Sequence, residues 1–325
     1  MPVRKTESRI PDTFQAADLG QAITASGCTM ISFVTSPLVL DRPNQYVIII
    51  TDTGIAASAA SYEWTVTESG VAPATSTSTV GELDLEPSHT GSLKVVVRIL
   101  NGSGTELAAL TLDQTVVPPS EELEDLIAES NEEAGPGMAD PDALRELINQ
   151  YNAYYQSVTL QASEPIGGFK RLVFNMCFDG VIKRNVDERK RHVGQLAVAV
   201  NSGNTDFATL STQGIGVCNV RLLLLAMTLP GMIPWTLMPT DPNERALRLS
   251  DLHQDLAGLD ENKRIDLFNI ARFPKSNIKV CARMLENLRN QYFSTASFDD
   301  VLTGMSGARA QWIIAQYRQG PITRT

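Results

Sequence analysis

Histidine is scarce in this sequence and paired cysteine is missing, and both gaps narrow the chemistry it can carry. Three histidines occur, His89, His192 and His253, and no two stand one or three residues apart. A zinc or iron centre needs several convergent ligands. No histidine-based metal site, and no cofactor, is therefore expected. The four cysteines, Cys28, Cys177, Cys218 and Cys281, form no CxxC pair and lie at long, irregular intervals. In a chain without a secretion signal such cysteines stay reduced and act as small buried hydrophobes. Neither a disulfide nor a metal is expected of them.

Long apolar runs are also absent. The most apolar stretch, Leu222 to Trp235, is broken by Pro230 and Pro234 and falls well short of the ~20 residues of a spanning helix. Residues 1–20 mix Arg4, Lys5, Glu7, Arg9, Asp12 and Asp18 and hold no apolar core of the signal-peptide kind. The expectation is a non-membrane protein made in the cytoplasm, whose final location, a released particle included, is left open. A surplus of positive charge is missing too: the net charge is -10 and the pI about 4.9. So acidic a chain is a poor general ligand for nucleic acid.

What is present is an ordinary globular composition, 43% hydrophobic and 20% charged over 325 residues, which suits about two domains. Charge divides the chain. Residues 1–117 carry net -6, residues 118–143 net -9 with no basic residue, and residues 144–325 net +5. The middle segment opens on Pro118-Pro119, continues with Glu121, Glu122, Glu124 and Asp125, and closes on Gly135-Pro136-Gly137 and Asp140-Pro141. Proline, glycine and like charge resist packing, so 118–143 reads as an acidic linker.

Before it, strand signals dominate. Tyr46 to Ile50 is a β-branched run, Tyr62 to Thr67 alternates large apolar with polar, and Leu93 to Leu100 leads into Asn101-Gly102-Ser103-Gly104 and a return strand over 107–117. Asn-Gly between β runs signals a hairpin. Several short strands divided by turns suggest a sandwich. Tyr62-Glu63-Trp64, then Thr90-Gly91-Ser92-Leu93-Lys94-Val95-Val96-Val97 and Asn101-Gly102-Ser103-Gly104, resemble a polycystic-kidney-disease (PKD) repeat, an Ig-like β-sandwich family. The Trp-x-Phe-Gly-Asp-Gly continuation of that family is replaced here by Trp64-Thr65-Val66-Thr67-Glu68-Ser69-Gly70. The resemblance implies an interaction or spacer module over about residues 30–117, preceded by an arm, 1–29.

After the linker the period becomes helical. Helices are expected over 142–157, over 169–200 with a break near Gly180 or Gly194, over 241–256, over 260–273 with Asp260 as N-cap, from Pro274 to Tyr292, and over 306–319. In the helix from Pro274, Ile278, Cys281, Leu285, Leu288 and Tyr292 make one buried stripe, with Lys275, Lys279, Arg283 and Arg289 off it. Residues 144–325 match no family motif. Their company with a PKD-like module resembles components of phage-tail-like contractile injection systems.

The chain thus reads as α+β multidomain, an N-terminal Ig-like β-sandwich followed by an all-α domain. No catalytic constellation stands out. Gly214-x-Gly216 lacks the third glycine of a dinucleotide loop, and no Walker-type lysine follows any glycine cluster. Cys218, between those glycines and an apolar run, is the one nucleophile to weigh, against a plain core role. Interface candidates are the basic cluster Lys183, Arg184, Arg189, Lys190 and Arg191, the apolar segment with Met232 and Trp235, Trp312 in the last helix, and the acidic group Glu121, Glu122, Glu124 and Asp125. The function expected is non-enzymatic: self-association, or docking to other protein components of a larger assembly. The alternatives are a nucleic-acid-packaging coat protein using the basic helical domain, and a cysteine-dependent enzyme using Cys218. Limited proteolysis, read by mass spectrometry, should cut first between Pro118 and Asp142. First cleavage inside 144–325 would place the boundary elsewhere.

Overall fold

A computed structural model describes residues 16–121, 172–173, 176–177, 186–202, 214–294, 296–297, 300–301 and 308–321. The chain divides into two compact units, which contain 16–121 and 172–321 of these. The first is built of sheets and the second of helices, an α+β protein. The helix expected over 142–157, and most of the chain from 169 to 185, lie outside the described residues.

In the β unit a short helix α1 (Ala16–Leu19) precedes β1 (Gln21–Ala25), β2 (Cys28–Ser32), β3 (Leu38–Val39) and β4 (Asn44–Ile50). A second short helix, α2 (Thr53–Ser58), leads to β5 (Ala59–Glu68), β6 (Ala74–Ser78), β7 (Glu82–Leu85), β8 (Gly91–Asn101) and β9 (Glu106–Val117). One sheet has the order β1-β2-β4-β7, antiparallel throughout. The other has the order β3-β9-β8-β5-β6, antiparallel except that β3 runs parallel to β9, and it curls into a half-barrel.

The sequence explains the faces. A strand alternates its side chains, and in β8 Leu93, Val95, Val97 and Ile99 are buried while Lys94 and Arg98 are not. In β9 Ala108, Leu110, Leu112, Gln114 and Val116 are buried in the same rhythm. The β8–β9 turn is held by one side chain. Asn101 Oδ1 accepts from the backbone N–H of Ser103 at 3.0 Å and of Thr105 at 2.9 Å, and Gly104 takes a φ of +81° that suits glycine. Trp64 on β5 stands opposite Val97 and Ser76 and is 1% exposed.

A buried polar network joins the two sheets. Tyr46 on β4 donates its hydroxyl to Gln114 Oε1 on β9 at 2.6 Å. Gln114 Nε2 lies 2.9 Å from Gln21 Oε1, 3.1 Å from Ser32 Oγ and 3.2 Å from the Val34 carbonyl. Asn44 Nδ2 donates to Ser32 Oγ at 2.7 Å, and Asn44 Oδ1 accepts the Val34 N–H at 3.1 Å. Burial pushes the Tyr46 hydroxyl up, against the opposing pull of Asn44 and Ser32, so it stays a neutral donor.

The helical unit runs α3 (Val186–Ser202), β10 (Gly214–Ile215), β11 (Val220–Arg221), α4 (Leu222–Thr228), α5 (Pro242–Ala257), α6 (Glu261–Arg272), α7 (Pro274–Phe293) and α8 (Ala308–Gln319). Two of these helices start on capping carboxylates, at Asp260 as the sequence suggests and at Asp241. Asp260 Oδ1 accepts from the Lys263 N–H at 2.9 Å, Asp241 Oδ1 accepts from the Asn243 and Glu244 N–H groups, and Pro274 opens α7. Gly320, at φ +96°, closes α8 by donating its N–H to the Gln316 carbonyl at 2.8 Å.

One expectation is narrowed and one is corrected. Of the two glycines named for a break, Gly194 does not break α3, and Gly180 lies outside the described residues. A helical glycine costs only about 1 kcal/mol, and Leu196, Ala197, Ala199 and Val200 beyond it are buried. The start of α7 is also not a single stripe, since Lys275, Ser276 and Asn277 are buried alongside Ile278. This helix packs against α4, α6 and α8, so neighbours cover it on several sides.

Trp64→Ala should destabilise the protein by ~3–5 kcal/mol, as deleting a buried large aromatic does. Trp64→Phe should lose much less, because the indole Nε1 has no hydrogen-bond partner. Urea unfolding followed by circular dichroism measures both. A loss under about 1 kcal/mol for the alanine variant would remove Trp64 from the core.

Candidate functional site

The most concentrated reactive chemistry in the described residues lies around the β10–β11 hairpin. Its turn, residues 216–219, needs left-handed backbone at Gly216 (φ +73°) and Asn219 (φ +52°), and it carries Cys218, which is fully buried. A buried turn must satisfy its peptide groups from outside, and two helices do so. Asn277 on α7 accepts the Cys218 N–H on its Oδ1 at 3.0 Å, and its Nδ2 donates to the Ile215 and Ala271 carbonyls at 3.3 and 3.2 Å. Tyr317 on α8 donates its hydroxyl to the Cys218 carbonyl at 2.8 Å.

Thiols gather at the same point. Cys281 follows Asn277 by four residues, on the same face of α7. The Sγ atoms of Cys177 and Cys218 are 3.1 Å apart. Burial pushes the Cys218 thiol well up, and hydrogen bonding and charge from Cys177 and Cys281 add to the shift. Burial also raises the Tyr317 hydroxyl, reinforced by Cys281 and Cys218. At neutral pH Cys218 therefore stays a thiol and Tyr317 a phenol. Such a thiol is a poor source of thiolate for an outside electrophile.

The sequence candidates are scattered by comparison. Lys183 and Arg184 lie outside the described residues. Arg189 and Lys190 fall within α3, their side chains outside the described set, while Arg191 is exposed and His192 buried. Glu121 is exposed, and Glu122, Glu124 and Asp125 lie outside the described residues. Met232 and Trp235 are half-buried in irregular chain after α4, around a buried Ile233 whose N–H donates to the Ala226 carbonyl at 3.3 Å. Trp312 on α8 stands edge-on to Tyr292, with ring centroids 6.0 Å apart and planes at 86°.

His89 lies beside Ser88 and Glu68, a set that invites comparison with a hydrolytic triad. Both Ser88 Oγ (2.9 Å) and Glu68 Oε2 (3.3 Å) meet the same ring nitrogen, Nδ1. A triad needs serine and acid on opposite nitrogens, so this cluster is an exposed loop clasp. Among the described residues, no group of three or more His, Cys, Asp or Glu side chains is arranged to hold a metal ion.

Sequence reasoning missed the thiol cluster. Spacing rules look for cysteines close in sequence, whereas Cys177 and Cys218 are 41 residues apart. The usable signals were Gly214 and Gly216 beside Cys218, and Cys281 in the apolar stripe of α7. No family model, no curated protein and no solved structure matches this chain.

Gly216 admits no side chain. A Cβ there would collide with the Asn277 side chain and the Ala271 carbonyl, on a backbone that already favours glycine. Gly216→Ala should therefore destabilise the helical unit by more than the about 1–3 kcal/mol of backbone strain alone. Thermal unfolding followed by circular dichroism tests this. An unchanged midpoint would mean the turn and α7 are not tightly joined.

Proposed function

We propose that the chain is a non-enzymatic structural protein that self-associates or docks into a larger assembly, with its β unit as an Ig-like interaction or spacer module of the PKD kind. The observation that carries this reading is the strand order. An Ig-like sandwich deals its strands between a sheet containing A, B and E and a sheet containing C, F and G. With β2 as A, β4 as B, β5 as C, β7 as E, β8 as F and β9 as G, the sheets read A-B-E and G-F-C. β1 and β6 are then added edges, and β3 runs beside G. Trp64 falls on strand C, the strand that carries the buried tryptophan in antibody-type domains. Such a module supplies a firm surface and a fixed spacing rather than a reacting group.

The helical unit supports docking through apolar side chains that its fold leaves accessible. Leu247 on α5 is 70% exposed and Val198 on α3 is 50% exposed, and Met232 and Trp235 are half-buried. Aromatic and methionine side chains anchor interfaces. The resemblance of the sequence to phage-tail-like contractile systems names one assembly of this kind. Against the enzyme alternative, Cys218 is enclosed and its thiol held protonated, while its backbone is clamped by Asn277 and Tyr317.

Affinity in this reading comes from the apolar segments. The acidic stretch 118–143 and the basic excess of 144–325 set orientation and encounter rate, since exposed ion pairs contribute little individually. Replacing Glu121, Glu122, Glu124 and Asp125 with glutamine should slow assembly at low salt. The difference should fade near molar salt, where the screening length is about 3 Å. Light scattering against time, with negative-stain images of the end point, measures this. Equal rates at low salt would reduce the acidic stretch to a spacer, and wild-type protein that stays monomeric throughout would end the self-association reading. Binding to DNA or RNA that falls steeply with salt would favour the packaging alternative instead.

A further inference from the structure

We infer that Cys177 and Cys218 form a redox-convertible pair that a peroxide closes into a disulfide within the helical unit. The geometry is the ground for this. Both side chains are fully enclosed, and their sulfurs are 3.1 Å apart. A disulfide holds its sulfurs about 2.05 Å apart, so closure needs an approach of about 1 Å. Cys218 sits in a turn of four residues between two-residue strands, whose backbone Asn277 and Tyr317 hold, so the approach falls on the side chains and on the Cys177 segment. Cys281 acts on the Cys218 thiol as Cys177 does.

The chemistry balances with hydrogen peroxide as oxidant. One thiolate, Cys177 or Cys218, attacks a peroxide oxygen, the O–O bond breaks, and hydroxide leaves to take up a proton as water. The product is a sulfenic acid. The neighbouring sulfur attacks it, the S–O bond breaks, and a second hydroxide leaves as water with the proton of the second thiol. Two S–H bonds are lost, one S–S bond is made, and the two electrons reduce one peroxide to two waters. Burial slows the first step, because it admits only a small oxidant or a locally opened state and holds the Cys218 thiol protonated. Proximity speeds the second, because the partner sulfur is already in contact. The result is an isolated, reversible cross-link rather than progressive oxidation of one cysteine.

The experiment uses the full chain. The reduced protein is treated with excess hydrogen peroxide, quenched with catalase, unfolded, alkylated and digested without reductant for mass spectrometry. The expected result is one linked peptide pair, Cys177 with Cys218, lighter by two hydrogens and abolished by dithiothreitol. Cys281, and Cys28 in the β unit, should be recovered alkylated. Its rate of formation should rise steeply from pH 7 to pH 9, by up to about tenfold per pH unit, as the thiolate fraction grows. Cys177→Ala should redirect the link to Cys218 and Cys281, and Cys218→Ala should remove it. Recovery of all four cysteines alkylated would overturn the inference, as would over-oxidation of single cysteines without a link. So would a link that forms only at urea concentrations that unfold the helices, or one that involves Cys28 as often as Cys177.

Discussion

A peptide turn placed inside a helical core has polar groups that water cannot reach, and the helical unit is arranged around meeting that demand. Each buried donor or acceptor left unpaired would cost about 1–3 kcal/mol. For the hairpin backbone around Cys218, Asn277 accepts the Cys218 N–H and donates to the Ile215 carbonyl, and Tyr317 donates to the Cys218 carbonyl, while Asn277 also reaches the Ala271 carbonyl of α6. Other features follow from this clamp. Gly216 must be glycine because the Asn277 side chain occupies the space of a Cβ. The start of α7 must be buried because Asn277 lies there. Ser276 in the same turn donates to the Ile270 and Phe273 carbonyls at 2.9 and 3.0 Å, fastening the junction between α6 and α7. The thiol cluster is a by-product of the same packing: once Asn277 faces the hairpin, Cys281 one turn later must face it too.

The β unit solves a similar problem at its centre. Its two sheets meet through apolar side chains and also through Tyr46, Gln114, Ser32 and Asn44, each of which has a partner. A satisfied buried network adds direction to a core whose apolar contacts have none. It ties β2 and β4 of one sheet to β9 of the other, so the sheets cannot slide by a residue without breaking several hydrogen bonds at once. Surface pairs such as Arg98 with Glu63 and Glu106, both at 2.7 Å, lie on the outer face and decide much less.

The legible parts of this fold were those where one residue pattern had one meaning. β8 and β9 alternate strictly because one face meets the core and the other water, so Leu93 to Leu100 reads as a strand at sight. β2 gives no such signal. All five of its residues are buried, Thr29 and Ser32 among them, and two polar residues in an enclosed strand look like loop. β6, Ala74–Ser78, is almost wholly exposed and polar and is a strand only because β5 offers it an edge. Helix ends at Asp260, Pro274 and Gly320 were legible because capping is local chemistry. The breadth of the buried surface at Lys275 to Asn277 was not, because it depends on the other helices and the hairpin that close around α7.

The thiol cluster shows why the site resisted sequence reading. Metal and disulfide rules work from short spacings because a short loop forces two side chains together. Here no short loop does so. Cys177, Cys218 and Cys281 come from three separate segments, brought together by Asn277 and Tyr317, residues that carry no cysteine signal themselves. Once the clamp is in place, proximity is fixed by the fold, and reactivity is governed by two opposed effects of the same burial. Enclosure raises the Cys218 thiol and keeps solvent from all three, which protects them individually. It also holds two sulfurs in contact, so that any oxidation of one has a partner before it has any other fate. A single buried cysteine would have the first property alone. Clustering around one turn adds the second and turns an inert core residue into a site at which the chain can be reversibly joined to itself.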